Sequence, residues 1–365
     1  MKEKKEQAIL VGVALKSGHE YNFDTALHEL QALTEAAGAE VIATLMQSRE
    51  RAHAGTYIGK GKLEELIHLI EELQPDVIIF DSELSPVQIR KLEDAIDVKI
   101  IDRTMLILDI FSQRARSNEG ILQVELARLQ YRLPRLTGRG VEMSRMGAGI
   151  GTRGSGEQKL ELDRRYIRKR IQDIKKRMEK VESTRNLHRS QRQRAGLKVV
   201  SLVGYTNAGK SSLFNTLCAT AHRSGMAQVE ADQRLFQTLD TTVRKITLPS
   251  SKAILLSDTV GFIQNLPHHL VAAFRSTLEE AAEADLLLHV VDVADPYYFE
   301  KMEVVEGVLQ DLGADPDRIL NVFNKADLLD LYPDNGVRGI YLSAKTGQGL
   351  DALLTRIGEE LAQGE

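Results

Sequence analysis

An eight-residue segment, Gly204 to Ser211, constrains the fold of this chain more than any other feature. It reads GYTNAGKS, which fits the G-x-x-x-x-G-K-S pattern of a phosphate-binding loop, here called the P-loop. The β-branched run at 198–203 predicts a buried strand before the loop, and residues 212–217 predict the start of a helix after it. Backbone N–H groups in such a loop point at phosphate oxygens, and the helix N-terminus adds partial positive charge. The segment therefore predicts a strand–loop–helix unit that binds a nucleotide.

Two side chains of the P-loop have the chemistry that phosphate binding needs. Lys210 can reach the β- and γ-phosphates, and the hydroxyl of Ser211 can ligate Mg²⁺. We predict that the whole loop contacts the nucleotide, through Gly204, Tyr205, Thr206, Asn207, Ala208, Gly209, Lys210 and Ser211.

Charge is distributed unevenly along the chain. The net charge is −4, yet residues 159–198 carry 15 Lys and Arg against 5 Asp and Glu, so this segment has a charge of about +10 and the remainder about −14. A basic segment beside an acidic remainder favours a polyanionic partner over a merely solvated face. With no Trp and 5% aromatic residues, a stacking platform for single-stranded nucleic acid is not indicated.

Composition also limits the cellular compartments in which we expect this protein. No apolar run approaches the roughly 18 residues of a membrane span, and the N-terminus lacks the apolar core of a signal peptide. The single cysteine, Cys218, precludes an intramolecular disulfide. We expect a cytoplasmic protein with at most peripheral membrane contact.

The first part of the chain predicts an α/β fold with a parallel sheet. Residues 7–116 alternate between strand and helix patterns. Predicted strands cover 8–14, 40–46, 76–81 and 98–102, and predicted helices cover 24–37, 85–96, a segment ending at 73 and one starting at 103. The motif Gly59-Lys-Gly-Lys62 is either a tight turn that caps a helix or a second anion site that uses Lys60 and Lys62.

A pair of amphipathic helices is predicted next. Leucines recur at heptad-like spacing in the first helix, and aliphatic residues recur every seven residues in the second. These positions are Leu122, Leu126, Leu129 and Leu133, then Leu160, Ile167, Ile174 and Val181. Pro134 should stop the first helix. The connection is rich in Gly and Arg, so we predict an antiparallel helical hairpin with a basic tip, followed by a linker at 185–194.

Three further motifs follow the P-loop, each at the end of an apolar run. They are DTVG (258–261), NKAD (324–327) and SAK (343–345). Asp258 can hold magnesium through water, and Gly261 can bring its N–H to a γ-phosphate. The carboxylate of Asp327 can accept two hydrogen bonds from guanine N1–H and its 2-amino group, a pair that adenine lacks. The set therefore predicts GTP rather than ATP.

These motifs resemble those of translation-factor-related GTPases, and the resemblance narrows to the HflX family. The stretches that carry it are TYIGKGK (56–62), DRTMLILDIF (102–111), LPRLTG (133–138), GIGTRG (149–154), GYTNAGK (204–210) and DTVGF (258–262). The resemblance implies three domains: an N-terminal α/β domain (1–118), a helical hairpin (119–196) and a Ras-like GTPase domain (197–365). It also implies hydrolysis of GTP to GDP with Mg²⁺, binding to the large ribosomal subunit and its rRNA, and ribosome splitting or rescue under stress.

The family's site residues can be placed on this chain. Lys210, Thr238 and Gly261 match catalytic positions, and Ser211 and Thr238 match the magnesium ligands; Thr241 and Thr242 are rivals for Thr238 because DTT stands where DPT is common. The other matching nucleotide contacts are Phe236, Gln237, Leu239, Asp240, Asp258, Thr259, Val260, Asn324, Lys325, Ala326, Asp327, Ser343, Ala344 and Lys345.

Two residues bear on catalysis. Phe262 stands where Ras-like proteins place a water-orienting Gln, which predicts slow intrinsic hydrolysis that the ribosome accelerates. Asn207 matches a position that helps bind K⁺ in some related GTPases. Two readings are open: Asn207 helps bind K⁺ as a further cofactor, or Asn207 only caps the backbone.

Three classes of function remain open at this point. The first is a ribosome-associated GTPase, expected to be monomeric and without a DNA partner. The second is a GTP-controlled interaction protein that acts on another protein or a membrane surface. The third adds ATP-dependent RNA remodelling by the N-terminal domain.

Overall fold

Parallel strands and helices alternate through the first part of the chain, as predicted. The computed structural model describes residues 5–15, 23–136, 155–194, 196–221, 241–264, 278–279, 282–331 and 336–363. Its internal contacts define two units, one formed by Met1–Gln113 and Ile121–Met178 and the other by Arg114–Gly120 and Glu179–Glu365. The three predicted domains remain a prediction.

The first unit contains a four-stranded parallel sheet. Its elements are β1 (Gln7–Leu15), α1 (Phe23–Ala36), β2 (Glu40–Arg49), α2 (Lys60–Leu73), β3 (Val77–Phe80), α3 (Pro86–Glu93), β4 (Lys99–Asp102) and α4 (Arg103–Arg114). The strand order is β2-β1-β3-β4. Strand β3 is buried along its whole length, because helices cover both faces of a parallel sheet.

Local sequence explains where two of these helices begin. Ser85 and Gln88 form a capping box at α3, with Pro86 at its first helical position. Gly59 precedes α2 and donates its N–H to Gln47 Oε1 at 2.8 Å. Lys62 Nζ pairs with Glu65 at 2.8 Å, so one of the two lysines of the GKGK motif is held by its own helix. These contacts favour the capping-turn reading of this motif.

A buried ion-pair network lies where β3 and β4 end. Arg103 is 2% exposed, and its guanidinium contacts Asp81 at 2.7 Å and Glu29 at 3.1 Å. Burial raises the pKa of Asp81 to about 6, and the positive charge of Arg103 opposes this shift. The network ties α1 and α4 to the end of β3.

The next two helices among the described residues are α5 (Asn118–Arg135) and α6 (Ser155–Arg194). Arg170 of α6 forms a bidentate pair with Glu125 of α5, at 2.7 and 2.9 Å. Helix α5 includes Pro134, which was predicted to stop it, and ends at the next residue, Arg135. Helix α6 includes residues 185–194, which the sequence suggested as a linker. The basic tip at 137–154 lies outside the described residues.

The second unit contains a six-stranded sheet. Its elements are β5 (Lys198–Val203), α7 (Lys210–Ala221), β6 (Thr242–Thr247), β7 (Ala253–Asp258), β8 (Leu286–Asp292), α8 (Tyr298–Asp311), β9 (Ile319–Asn324), β10 (Gly339–Tyr341) and α9 (Leu350–Gln363). The strand order is β10-β9-β8-β5-β7-β6. Strand β6 is antiparallel to β7, and the other neighbouring strands are parallel. This α/β architecture with a P-loop confirms the predicted fold class.

The sheet explains why the motifs converge. The P-loop, DTVG and NKAD motifs follow β5, β7 and β9, and the carboxyl ends of parallel strands meet at one edge of a sheet. Helices α7 and α9 pack their apolar residues against it, including the buried Phe214, Leu353 and Ile357. None of the helices in the described ranges is both long and apolar enough to span a bilayer.

Candidate nucleotide site

The P-loop has the backbone conformation that its glycines allow. Gly204 and Gly209 have φ values of 149° and 91°. A Cβ atom at Gly204 would lie 2.2 Å from the carbonyl oxygen of Val290, and one at Gly209 would lie 2.2 Å from Asn324 Nδ2. Because neither distance is possible for a side chain, only glycine fits these two positions.

Lys210 is buried inside this loop. It is 6% exposed, and its Nζ donates to the carbonyl oxygens of Gly204 at 3.0 Å and Tyr205 at 2.7 Å. Burial lowers the pKa of the ammonium to about 8, and Asp258 opposes this shift. These bonds hold the ammonium group beside the space that the P-loop encloses, where a bound phosphate would neutralise its positive charge.

Ser211 and Asp258 lie next to each other. The Ser211 hydroxyl donates to Asp258 Oδ2 at 2.8 Å, and Asp258 is fully buried. A serine hydroxyl that donates to a carboxylate keeps its lone pairs for a cation, and Mg²⁺ prefers oxygen ligands. The described residues contain no cluster of three or more His, Cys, Asp or Glu that could hold a metal ion by itself. The pair fits a magnesium ion that is also held by phosphate and water.

The DTVG motif bends from β7 back to the P-loop. Thr259 Oγ1 donates to the carbonyl of Leu202 at 2.6 Å. Phe262 exchanges backbone hydrogen bonds with the P-loop, donating to Gly204 at 3.1 Å and accepting from Thr206 at 2.7 Å. Its ring is 3% exposed and packs in an apolar cluster with Tyr205 and Leu287. Phe262 therefore turns its side chain into the core.

Asn324 joins the P-loop to the SAK motif. Its Nδ2 donates to the carbonyl of Ala208 at 2.8 Å, and its Oδ1 accepts from the N–H of Ala344 at 2.9 Å. The sequence predicted Asn324 as a nucleotide contact, and the structure shows that its side chain also joins these two loops.

The remaining NKAD residues form a short turn. Lys325 adopts a left-handed conformation with φ 63°, and its Nζ pairs with Asp292 Oδ2 at 2.6 Å. Asp327 follows in a 3₁₀ turn with its side chain exposed. Ala326 is buried and donates its N–H to Leu342, directly before the SAK motif. The turn thus presents one carboxylate, Asp327, to solvent beside that motif.

The SAK motif is held by bonds within its own loop. Ser343 is fully buried and its Oγ accepts the N–H of Thr346 at 3.1 Å. Thr216 of α7 donates its hydroxyl to the carbonyl of Ala344 at 2.9 Å. Lys345 is exposed. Two clamps therefore fix this loop, one from α7 and one from Asn324.

Some predicted site residues cannot be placed. Phe236, Gln237, Thr238, Leu239 and Asp240 lie outside the described residues, and Thr241 is partly buried. The sequence did not point to two contacts that the structure contains: the pair between Lys325 and Asp292, and a hydrogen bond from Gln264 N–H to the Tyr205 hydroxyl at 2.7 Å. In the first contact Asp292 belongs to none of the motifs, and the second contact uses a backbone donor that no side-chain pattern reveals.

Three protein-family models match the chain in succession. They describe a GTP-binding GTPase N-terminal region (residues 24–112), a GTP-binding GTPase middle region (114–192) and a 50S ribosome-binding GTPase (199–325).

Relatives match over almost the whole chain. The GTPase HflX of Caldanaerobacter subterraneus subsp. tengcongensis is 54% identical over 357 residues, which cover 98% of this chain and 81% of the relative. The GTPase HflX of Escherichia coli is 43% identical over 369 residues, with coverage of 98% and 84%. Among solved structures, the crystal structure of SsGBP in complex with GDP superposes with a TM-score of 0.53, which supports the fold. The match has 24% sequence identity and covers 98% of this chain and 99% of SsGBP.

Proposed function

The chain belongs to the HflX family of GTPases, and from that premise we propose that it is a GTP-controlled switch that binds the large ribosomal subunit and splits or rescues ribosomes under stress. The observation that carries the switch part of the proposal is the position of Asn324, which bonds the P-loop and the SAK motif at once; the ribosomal partner rests on family membership. This contact connects the loop that would bind the phosphates with the loop that would bind the base. A switch that responds to the bound nucleotide needs such a connection.

The P-loop and Asp258 account for phosphate and metal in this proposal. Lys210 compensates the β- and γ-phosphates, and Ser211 would hold Mg²⁺ with Asp258 behind it, since their oxygens lie 2.8 Å apart. Bound Mg²⁺ neutralises charge on the β- and γ-phosphates. We assign the second metal-ligand role to Thr238 on family resemblance.

Asp327 selects the base. Its exposed carboxylate lies in a short turn that begins at the buried Ala326. The ion pair between Lys325 and Asp292 holds the start of this turn in place. A fixed carboxylate accepts from guanine N1–H and the 2-amino group, and charge-assisted bonds of this kind are about twice as strong as neutral ones.

Slow intrinsic hydrolysis follows from Phe262. A phenyl ring cannot orient water by hydrogen bonding, and this ring is buried in the apolar cluster. Attack on the γ-phosphate needs an oriented water, so the missing group must come from elsewhere. We propose that contact with the large subunit orders the site. Turnover measured with and without large subunits tests this, and equal rates would contradict it.

The outer face of α6 supplies a contact for rRNA. Arg165, Lys169, Lys176 and Lys180 are exposed on the side opposite the buried Ile167 and Ile174. Beside them, Leu162 and Tyr166 are 64% and 69% exposed. Lysines neutralise phosphates, and an exposed tyrosine among them can pack against a ribose or base. The family model of a 50S ribosome-binding GTPase favours rRNA over other polyanions.

Potassium is a further proposal. Asn207 is exposed with φ 62° at the tip of the P-loop, so its amide oxygen is free to approach a cation beside the phosphates. Identical hydrolysis rates in potassium and sodium buffers would reject this role.

Co-sedimentation tests the central proposal. The chain is pelleted with purified large subunits in GMPPNP and in GDP across a salt series, and intact ribosomes are then profiled for free subunits. We expect salt-sensitive binding that is stronger in GMPPNP, together with release of free subunits. Nucleotide-independent pelleting would reject the switch, and binding without free subunits would reject splitting.

A further inference from the structure

The ion pair between Lys325 and Asp292 lies beside the turn that carries the proposed base-binding residue. Lys325 Nζ contacts Asp292 Oδ2 at 2.6 Å, and the two side chains are 29% and 20% exposed. Asp292 ends β8 and is paired in the sheet with Asn324, the residue before Lys325. The N–H of Val293 donates to the carbonyl oxygen of Asn324 at 3.1 Å, so the backbone also holds the two segments side by side.

The carboxylate of Asp327, two residues after Lys325, has a different environment. Its side chain is exposed, and it forms no hydrogen bond or ion pair with any residue in the part of the chain that the structure describes. A carboxylate that selects guanine needs this freedom. Any cation already bound to its oxygens would have to be displaced by the N1–H and 2-amino groups of the base.

Lys325 is a potential competitor for the oxygens of Asp327. The Cα atoms of these two residues can be at most about 7 Å apart, and the flexible four-carbon stem of lysine brings its ammonium within reach of such a neighbour. An ammonium and a carboxylate at this range attract each other. Asp292 is the stronger partner because it is mostly buried, so solvent screens its charge less than that of the exposed Asp327.

We propose that Asp292 is a positioning residue for guanine recognition: it holds the ammonium of Lys325 away from Asp327, whose carboxylate thereby stays free to accept from the base. The inference rests on the nucleotide site proposed above. Asp292 does not touch the nucleotide in this account and acts only through Lys325. Its removal should therefore weaken guanine binding only while the ammonium is present.

The test breaks the same ion pair from its two ends. Asp292→Asn keeps the other contact of this side chain, in which Oδ1 accepts the N–H of Ala294 at 3.3 Å, and it leaves an ammonium that can move to Asp327. Lys325→Met keeps most of the apolar stem and leaves no ammonium. In equilibrium titrations, the affinity for GDP should be about five-fold lower in Asp292→Asn than in Lys325→Met, the effect of one competing ion pair at the surface.

Two further readings separate competition from a loss of structure. The Asp292→Asn, Lys325→Met double variant should regain the GDP affinity of Lys325→Met, because it contains no ammonium that could mask Asp327. Affinity for ADP, measured by competition with labelled GDP, should be equal in Asp292→Asn and Lys325→Met, since adenine lacks the pair of donors that Asp327 accepts.

Asp295→Asn is the matched control on the same loop. Asp295 also pairs with a lysine, Lys301 of α8, and its Oδ1 also accepts the N–H of the residue two positions later, Tyr297, at 2.9 Å. Lys301 belongs to none of the nucleotide-binding motifs. The preference of Asp295→Asn for GDP over ADP should therefore equal that of the wild-type chain.

The outcomes distinguish the inference from the proposed function. If the wild-type chain binds GDP no better than ADP, the proposed base site is wrong and the inference falls with it. If the wild-type chain prefers GDP but Asp292→Asn and Lys325→Met lose GDP affinity equally, the ion pair only braces the turn and the inference alone is overturned. A double variant that binds GDP as weakly as Asp292→Asn would overturn it as well.

Discussion

Asn324 and Ala208 are joined by a buried hydrogen bond of 2.8 Å, so the residue that opens NKAD also holds the P-loop. Its other amide atom accepts from Ala344. One side chain thus sets the distance between the phosphate-binding and base-binding loops.

Asn324→Ala should disrupt both loops. It leaves a buried carbonyl and a buried N–H without partners, which costs roughly 2–4 kcal/mol of unfolding free energy. Nucleotide affinity should fall as well, by about five-fold, which is the effect of losing one net hydrogen bond that orders the loops. Chemical denaturation and GDP titration measure the two effects. Asn321→Ala on the same strand is the control, because the Asn321 side chain contacts His289 of β8 rather than the P-loop or the SAK motif; an equal loss of nucleotide affinity there would contradict the clamp.

Asp327→Asn should change the base that the site accepts. The amide cannot accept from both guanine N1–H and the 2-amino group, so GTP affinity should fall about 100-fold with the loss of charge-assisted bonds. Xanthine carries an oxygen in place of the 2-amino group, which an Asn amide can satisfy by donating. Xanthosine nucleotides should therefore bind the variant better than GTP does. Equal preference in variant and wild type would contradict the assignment of Asp327 to the base.

Motif spacing predicted the site well because each motif fixes its own backbone. A Cβ atom at Gly204 or Gly209 would lie 2.2 Å from a neighbouring atom, so the two glycines of the pattern are also the residues that the structure requires. The strand that precedes each motif is short and apolar, and parallel strands bring such motifs to one edge.

Contacts between motifs could not be predicted in the same way. The bond between Tyr205 and Gln264 depends on how the chain bends after β7, and its donor is a backbone amide. Helix α6 continues through 185–194, where polar residues give no apolar period, so a linker was the simpler reading. Arg and Gln have high helix propensity, but they leave no apolar period in the sequence by which such a helix could be recognised.

Nucleotide affinity should depend on pH through Lys210. The protonated ammonium binds phosphate, and burial lowers its pKa in the free protein to about 8. As pH rises through 8 the protonated fraction falls, so log Kd for GDP should rise and approach about one unit per pH unit. Lys210→Arg stays protonated over this range, and its affinity should be independent of pH between 7 and 9. The same slope in wild type and variant would show that another group titrates.

Gly204→Ala should destabilise the second unit. The new methyl group would meet the carbonyl oxygen of Val290, a backbone atom that cannot move aside. We expect a loss of about 3 kcal/mol in unfolding free energy, at the upper end of overpacking costs. Gly307→Ala is the control: Gly307 lies inside α8 with nothing within 4 Å, so alanine there should stabilise by about 1 kcal/mol through helix propensity. Thermal unfolding distinguishes these opposite signs.

Charge reversal on α6 should reduce binding to the large subunit without affecting the nucleotide site. Lys169, Lys176 and Lys180 are exposed on the outer face of this helix, and each phosphate contact contributes about 0.7–0.9 to the slope of log affinity against log salt. The triple Lys→Glu variant should lower that slope by about 2 and keep GDP affinity unchanged. Lys91→Glu reverses one exposed lysine on α3 and controls for general electrostatics. Because counterion release scales with the number of phosphates neutralised, a slope that stays constant would exclude this face as the rRNA contact even if the affinity falls.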